Sequence, residues 1–574
     1  MSLTSNIQEK ATLIWSIADK LTGTYKPHEY GEVILPLTVI RRFDCILAET
    51  KNIVLEQYEK FKKSPLCDTF LCKASGYDFY NISPYTFDTL LADPDNIEAN
   101  FRAYLNGFSK NVQDIIDKFK FDNQITTLSQ KGLLYIVLKE FTKDNANLHP
   151  NKISNLEMGY IFEEIIRKFS EAHNEDAGQH YTPREVIQLM VNIIFCDDKE
   201  ILNGNVAKTV YDCACGTGGM LSVADDYTKQ LNNDAELVCF GQEINDQTFA
   251  ICKADMLIKG NSADNIRNGN TLSNDLFPND KFDYILSNPP FGREWKNEKT
   301  SVETEYKLGF GGRFGAGLPA VNDSQMLFLE NAISKMKPKE MGGSKVAIIH
   351  NGSPLFTGDA GSGASEIRRY ILENDLLECI VALPNDIFYN TGIATYIWIL
   401  STRKPSHRVG KVQLINANEL YEKRRKSLGN KRNDIPKHYI DLITKTYSDF
   451  IQNDISKIFN NQDFGYSKIT IERPLKDDNG NLILKKGKPQ PDTSLRDTEN
   501  VPLVEDIHEY FNREVLPFAP NSWIDEKKTK IGYEIPFTRY FYKYQAPKPS
   551  CEIMGEILEL ENSLKGSLED IFNG

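Results

Sequence analysis

The chain is expected to fold as an α/β protein, with a doubly wound, mainly parallel sheet, an N-terminal helical domain and a C-terminal helical extension. Three observations predict this. Short apolar runs at 206–211, 237–242, 282–287, 345–350 and 377–383 alternate with helical patterns, as βαβ units do. Before residue 150 the apolar spacing is helical instead, in Leu13, Ile14, Ile17 and Leu21 and again in Ile115, Ile116 and Phe119. After Arg403 the alternation fades into charged and polar stretches. Domains are therefore expected at 1–150 (helical), 151–420 (the sheet) and 421–574 (the extension).

Pro65 and Pro94 punctuate polar loops of the helical part, and a long helix through Met158 to Phe169 then leads into a loop from Gly178 to Arg184. The strand 206–211 runs into Asp212-Cys213-Ala214-Cys215-Gly216-Thr217-Gly218-Gly219, which opens a helix. Glycines there let the backbone approach a ligand while the helix N-terminus faces it. A P-loop would need Gly-Lys-Ser/Thr where Gly219-Met220-Leu221 stands, and a dinucleotide loop a third glycine at Leu221. The next strand ends on Glu243, 24 residues beyond Gly219. An open α/β sheet puts at that place a carboxylate that accepts from ribose hydroxyls. A nucleoside ligand without a pyrophosphate fits best.

The strand 282–287 ends on Asn288-Pro289-Pro290-Phe291. An amide, two prolines and a ring offer acceptors on a stiff backbone beside a flat stacking surface, which suits gripping a planar base by its amino group. The same residues also make an ordinary strand-terminating turn. The loop from Gly292 to Asp323, with Trp295 and the glycine-rich run 309–317, reads either as a mobile lid whose Arg313 meets a phosphate or base, or as a merely irregular loop. Residues 411–416 add a strand, followed by a charged helical stretch. There Lys423, Arg424, Arg425, Lys426, Lys431 and Arg432 form either a local basic surface or a solvated helix face. A hairpin-like Asp477-Asp478-Asn479-Gly480-Asn481 and the aromatic cluster Tyr533, Phe537, Tyr540, Phe541, Tyr542 and Tyr544 come next. The last helix carries Ile553, Ile557, Leu560, Leu564 and Ile571 near heptad spacing, set apart by Pro547 and Pro549. It either folds back on its own domain or binds a partner.

Composition bounds the function. With 40% apolar and 26% charged residues, no stretch near 18 uninterrupted apolar residues and no signal peptide at Met1-Ser2-Leu3-Thr4-Ser5, a cytoplasmic protein is expected, with no membrane contact. Ten cysteines are scattered, and neither Cys67/Cys72 nor Cys213/Cys215 has the second spaced pair of a zinc site, so no metal is expected. The 67 basic against 80 acidic residues give a net charge of −13, whereas a stand-alone DNA enzyme usually carries a basic footprint. Either the basic surface is local or another chain supplies much of the DNA grip.

In their order, Asp212-x-Ala214-x-Gly216-Thr217-Gly218-Gly219, Glu243 and Asn288-Pro289-Pro290-Phe291 resemble the motifs of N6-adenine DNA methyltransferases that use S-adenosylmethionine. More narrowly, the chain resembles the modification subunit of type I restriction-modification systems. That resemblance extends to Gly178–Arg184, Arg313-Phe314-Gly315, Asn322-Asp323, Val381–Phe388, Ile14–Leu21 and Pro36–Arg42. Cys213 departs from the proline usual there, which loosens the loop without removing a contact.

The resemblance implies a Rossmann-like methyltransferase sheet with Asn288, Pro289, Pro290 and Phe291 as catalytic residues. For the cofactor it implies Gln179, His180, Tyr181, Thr182, Pro183 and Arg184, of which Tyr181, Thr182 and Pro183 close the methionine end, and Asp212, Ala214, Gly216, Thr217, Gly218 and Gly219 in the loop. Glu243 would then hold the ribose and Asn270 the adenine ring. Double-stranded DNA with a flipped adenine is the implied substrate. A specificity subunit and a restriction subunit are the implied partners, with two copies of this chain per specificity subunit. A self-contained DNA adenine methyltransferase, or one acting on free nucleotides, RNA or protein glutamine, are the alternatives.

Overall fold

The computed structural model describes residues 12, 16–171, 182–389, 391–477, 480–544 and 548–573. Gln179, His180, Tyr181, Ile14, Trp15 and Pro547 lie outside them, as does the side chain of Ile571. The chain divides into two units, Met1–Ile535 and Pro536–Gly574.

The first unit begins with helices. Helix α1 (Tyr30–Leu47) is buried at nearly every position, including Arg41 and Arg42. A buried guanidinium needs acceptors, and Arg42 finds them in the Ile153 carbonyl at 2.7 Å and in Asn155 Oδ1 at 2.6 Å. These bonds fasten α1 to helix α2 (Asn155–Glu171), which leads towards the sheet. The helical core is continuous with Ala250, Ile251, Ala254 and Leu257, so the helical layer packs on one of the sheet's own helices.

The central sheet contains β1 (Ala207–Asp212), β2 (Glu236–Glu243), β3 (Ile266–Asn268), β4 (Tyr284–Ser287), β5 (Lys345–Asn351), β6 (Leu377–Ala382), β7 (Thr395–Ser401) and β8 (Lys411–Asn416). Beyond β8, a hairpin of β9 (Glu422–Leu428) and β10 (Lys431–Asp434) stands apart, and β11 (Ser456–Asn460) rejoins the sheet. The order is β11-β8-β6-β7-β5-β4-β1-β2-β3. The pairs β3–β2, β2–β1, β1–β4, β4–β5 and β6–β8 are parallel, whereas β7 is antiparallel to both β5 and β6. The expected doubly wound, mainly parallel sheet is therefore present. Strand order reverses at β1 and β4, and such a switch point opens a crevice beyond the carboxyl ends of its strands.

Two differences from the sequence reading have simple causes. Among the described residues no helix separates β6 from β7, so β7 falls outside the βαβ alternation that announced the other buried strands. The charged stretch after β8 is not helical: Lys423–Lys426 lie on β9, paired antiparallel with β10, and the helix begins only at Lys437. Residues 465–533 form a small antiparallel sheet around Gly465–Glu472, with Ile469, Ile471, Val501, Phe511 and Val515 as its core.

The second unit holds a short helix, Phe537–Phe541, and the 24-residue helix Ser550–Asn573. Ile553, Met554, Ile557, Leu558, Leu560 and Leu564 on the latter are 42–66% exposed. Among the described residues no helix is long and apolar enough to cross a membrane.

Candidate active site

The loop after β1 is built around its own polar atoms. Asp212 Oδ1 accepts from the Ala214 amide at 3.0 Å and from Ser287 Oγ at 2.7 Å, which joins the tips of β1 and β4. Burial pushes the Asp212 carboxyl up to about 7, against the lowering effect of those two bonds. The chain then turns back through Gly216 and Gly218, at φ +54° and +82°. A Cβ on Gly218 would stand 2.7 Å from Cys252 Sγ, so only glycine lets helix α3 (Gly219–Leu231) start this close to its neighbour (Asp246–Ile258).

Glu243, at the end of β2, accepts from the Gly216 amide with Oε2 and from the Asn245 amide with Oε1, both at 2.8 Å. Its two oxygens are thereby fixed, with lone pairs to spare for a ligand's hydroxyls. Asn270 caps its own turn through the Leu272 amide at 2.9 Å and donates to Glu298 Oε1 at 2.7 Å.

On the β4 side, Asn288 Nδ2 donates to Thr182 Oγ1 at 2.8 Å, while the amide oxygen is buried and has no hydrogen-bond partner among the described residues. Phe291 is half-buried and sets its ring edge-on to Phe388, with centroids 6.2 Å apart at 83°. Glu163, on α2, closes the wall. Burial raises its carboxyl above the usual range, although Arg184 Nη2 donates to it at 2.9 Å.

Most of these residues line one open cleft at the carboxyl ends of β1, β2 and β4. Of the residues expected at the site, Thr182, Asp212, Ala214, Gly216, Thr217, Gly219, Glu243, Asn270, Asn288 and Pro290 line it. Pro183, Arg184, Gly218, Pro289 and Phe291 do not; Arg184 stands one layer back, holding Glu163. The sequence reading missed Glu163, Arg293, Glu294, Glu298, Ser324 and Phe328. A carboxylate on an amphipathic helix such as Glu163 is indistinguishable in sequence from a solvated one. Ser324 follows the motif Asn322-Asp323, which was a usable signal.

Five carboxylates line the cleft (Glu163, Asp212, Glu243, Glu294 and Glu298) against one guanidinium, Arg293. Arg184 offsets Glu163 and burial disfavours the charged form of Asp212, which leaves Glu243, Glu294 and Glu298 against Arg293, a balance that repels phosphates and attracts a cation.

Arg313 faces inward. It makes a two-pronged pair with Glu305, at 2.8 and 2.7 Å, and donates to the carbonyls of Thr271 at 2.6 Å and Leu272 at 3.1 Å. It braces the wall of the cleft and has no face left for a DNA phosphate. Trp295 and Phe314 are likewise buried, which anchors the glycine-rich loop rather than freeing it as a lid.

The N-6 DNA Methylase family profile matches residues 154–489, and the HsdM N-terminal domain profile matches 11–141. The chain belongs to the N-6 DNA methylase family. This methylase is 26% identical over 487 residues to the type I restriction enzyme MjaIX methylase subunit of Methanocaldococcus jannaschii, covering 79% of each chain. It is 27% identical over 333 residues to the HindI methylase subunit of Haemophilus influenzae, covering 55% of this chain and 70% of that one. Among solved structures, the type I restriction-modification methyltransferase subunit of Streptococcus thermophilus superposes with a TM-score of 0.62 at 21% identity, covering 80% of the methylase and 97% of that chain. A modification subunit of a putative type I restriction enzyme from Vibrio vulnificus gives 0.51 at 19% identity, covering 83% and 95%. The methylase is thus of the type I modification-subunit kind, an adenine-specific DNA methyltransferase by family.

Proposed function

We propose that this chain methylates N6 of an adenine flipped out of duplex DNA, using S-adenosylmethionine, as the modification subunit of a cytoplasmic type I restriction-modification complex. The buried carbonyl oxygen of Asn288, unpartnered among the described residues, carries the reading. The amino nitrogen of adenine is a poor nucleophile because its lone pair is delocalised into the ring. Two acceptors aimed at its hydrogens make the nitrogen more pyramidal and stabilise the positive charge that develops there. Asn288 Oδ1 is one; the Pro289 carbonyl is the other. Thr182 holds the Asn288 amide by its NH₂ group, so the acceptor is oriented before substrate arrives. Phe291 stacks on the flipped base, and Phe388 keeps that ring upright.

The cleft fits the cofactor: its surplus of carboxylates suits a sulfonium and an ammonium group, and the fixed Glu243 suits ribose hydroxyls. S-adenosylmethionine supplies an electrophilic methyl group. The loop Thr217-Gly218-Gly219 and Asp212 would hold the methionine and sugar, with Tyr181, Thr182 and Pro183 at the methionine end. Asn270 would shape the adenine end through Glu298. Residues 1–150 would serve as the helical domain, 151–420 as the catalytic domain, and 421–574 as the extension whose last helix meets a specificity subunit. Two copies of this chain per specificity subunit, joined by a restriction subunit in the full complex, complete the proposal.

The test is labelled methyl transfer to duplex DNA by the full chain, with and without its specificity subunit. N6-methyladenine at one sequence, formed only with the partner, is expected. Robust site-specific transfer by the chain alone would promote the self-contained enzyme, and label on RNA or on protein glutamine would overturn the reading.

A further inference from the structure

The hairpin of β9 and β10 is mounted on the catalytic motif. The Asn430 amide donates to the Tyr389 carbonyl at 2.7 Å, and the Arg432 amide to the Asp386 carbonyl at 2.9 Å. Lys431 is buried and donates to the Ile387 carbonyl at 3.2 Å, with Glu185 and Asp434 as its ion partners. The segment that receives these bonds carries Phe388, whose ring supports Phe291. The segment Asp386–Tyr389, through the ring of Phe388, therefore links the hairpin to the Asn-Pro-Pro-Phe motif.

Inside the hairpin, Arg424 pairs with Asp434 across the strands and Lys431 is consumed as described. The remaining cations, Lys423, Arg425, Lys426 and Arg432, are exposed. None has an acidic side chain within ion-pair distance among the described residues. An exposed cluster of four uncompensated cations is out of keeping with a chain of net charge −13. Water alone gives no reason to build it beside the one motif that handles a base. The nucleotide entering that motif brings a phosphate on each side, and B-DNA places a negative charge about every 1.7 Å along its axis.

We propose that Lys423, Arg425, Lys426 and Arg432 form a phosphate clamp that grips the DNA backbone flanking the flipped adenine, while Arg424 and Lys431 only hold the hairpin in shape. The clamp rests on the reading of this chain as a DNA adenine methylase. An acidic face of a partner protein is the competing occupant; the position beside Phe291 favours DNA. Such a grip positions the strand and carries no sequence information.

The test uses the full chain assembled with its specificity subunit and compares wild type with the quadruple variant Lys423→Gln, Arg425→Gln, Lys426→Gln, Arg432→Gln. Binding to a duplex carrying the target and to an unrelated duplex is measured across salt concentrations, together with S-adenosylmethionine affinity and assembly by size exclusion. The clamp predicts at least tenfold weaker binding to both duplexes at low salt. The log–log salt slope should also become shallower by about 0.9 for each phosphate that the variant no longer neutralises. Cofactor affinity and assembly should be unchanged, which shows that the variant is folded. An unaltered slope overturns the clamp even if wild type methylates adenine normally. Loss of assembly with an unaltered slope assigns the hairpin to the protein partner and also overturns it. If the wild-type complex binds no DNA, the clamp falls together with the reading beneath it. If it binds DNA but transfers no methyl group to adenine, only that reading fails, and the slope still decides the clamp.

Discussion

Thr182 takes one hydrogen of the Asn288 amide at 2.8 Å and so turns the amide oxygen to the side where no donor among the described residues meets it. Asn288→Ala should leave cofactor affinity within about twofold and lower single-turnover methyl transfer by about 10²–10³-fold, as loss of one preorganised polar group at a reacting centre does. Thr182→Val, which keeps the shape and removes the acceptor, should produce a smaller loss in the same step. Rapid-quench transfer with saturating cofactor reads both, and full activity of the alanine variant would remove Asn288 from the chemistry.

Gly218 combines a positive φ with a Cβ position 2.7 Å from Cys252 Sγ. Gly218→Asp is expected to abolish S-adenosylmethionine binding in calorimetry. Gly218→Ala should weaken it less, and adding Cys252→Ala should relieve the contact but not the backbone strain. Recovery in the double variant is therefore expected to be partial.

Asp212 gives the cofactor step a pH dependence. Burial raises its carboxyl to about 7, so the folded apo protein holds a proton there that the unfolded chain releases near 4. Its ionisation thus erodes folding stability as pH rises through that interval. A cationic ligand reverses the preference. Affinity for S-adenosylmethionine should increase from pH 6 to pH 8, with protons released on binding, as calorimetry in buffers of different ionisation enthalpy would reveal. Asp212→Asn should flatten the profile.

Arg313 braces the cleft wall through Glu305, Thr271 and Leu272. Arg313→Ala should destabilise the chain by about 3 kcal/mol, the scale for breaking a largely buried pair. Burial opposes ionisation of Glu305, but the Arg313 hydrogen bonds outweigh it and hold the carboxyl below its usual range. This contribution is present above the unfolded pKa and is lost as pH falls through the lowered folded one. Denaturation midpoints of wild type and variant should therefore draw together in acid.

The helix Ser550–Asn573 exposes Ile553, Ile557, Leu560 and Leu564. Truncation after Pro549 should weaken assembly with the specificity subunit on size exclusion while leaving cofactor binding unchanged. Assembly at wild-type affinity would show that this helix is dispensable for the partner.

Much of the fold was legible because the residues that make it obey a short-range rule. The strands through Tyr211, Phe240 and Leu286 are apolar runs of the right length, and each ends on a residue of the cleft or its motif. What escaped was set by distant partners. The strand through Trp398 follows the one through Val381 with no helix between them among the described residues, and its antiparallel pairing with the distant β5 is what places it. Arg425 sits in a sequence rich in charge, which says nothing about helix or strand when the partner strand is what stabilises it. Glu163 looks like an ordinary surface charge until the fold brings Arg184 to it, and Arg313, which the sequence offered to a phosphate or base, turns inward because the fold brings Glu305 to it.

The bond from Ser287 to Asp212 spans adjacent strands that run side by side into the cleft. In the proposed function Asp212 belongs to the loop that would receive the methyl donor, and Ser287 immediately precedes the amide that would receive the base. The gap the methyl group must cross is therefore measured in units of sheet spacing, about 4.8 Å between neighbouring strands. Loops at the rim can drift, lengthen or exchange between relatives without altering that gauge. In the complex proposed above, a chain built this way would take new DNA addresses from interchangeable partners while its reaction coordinate keeps the same length.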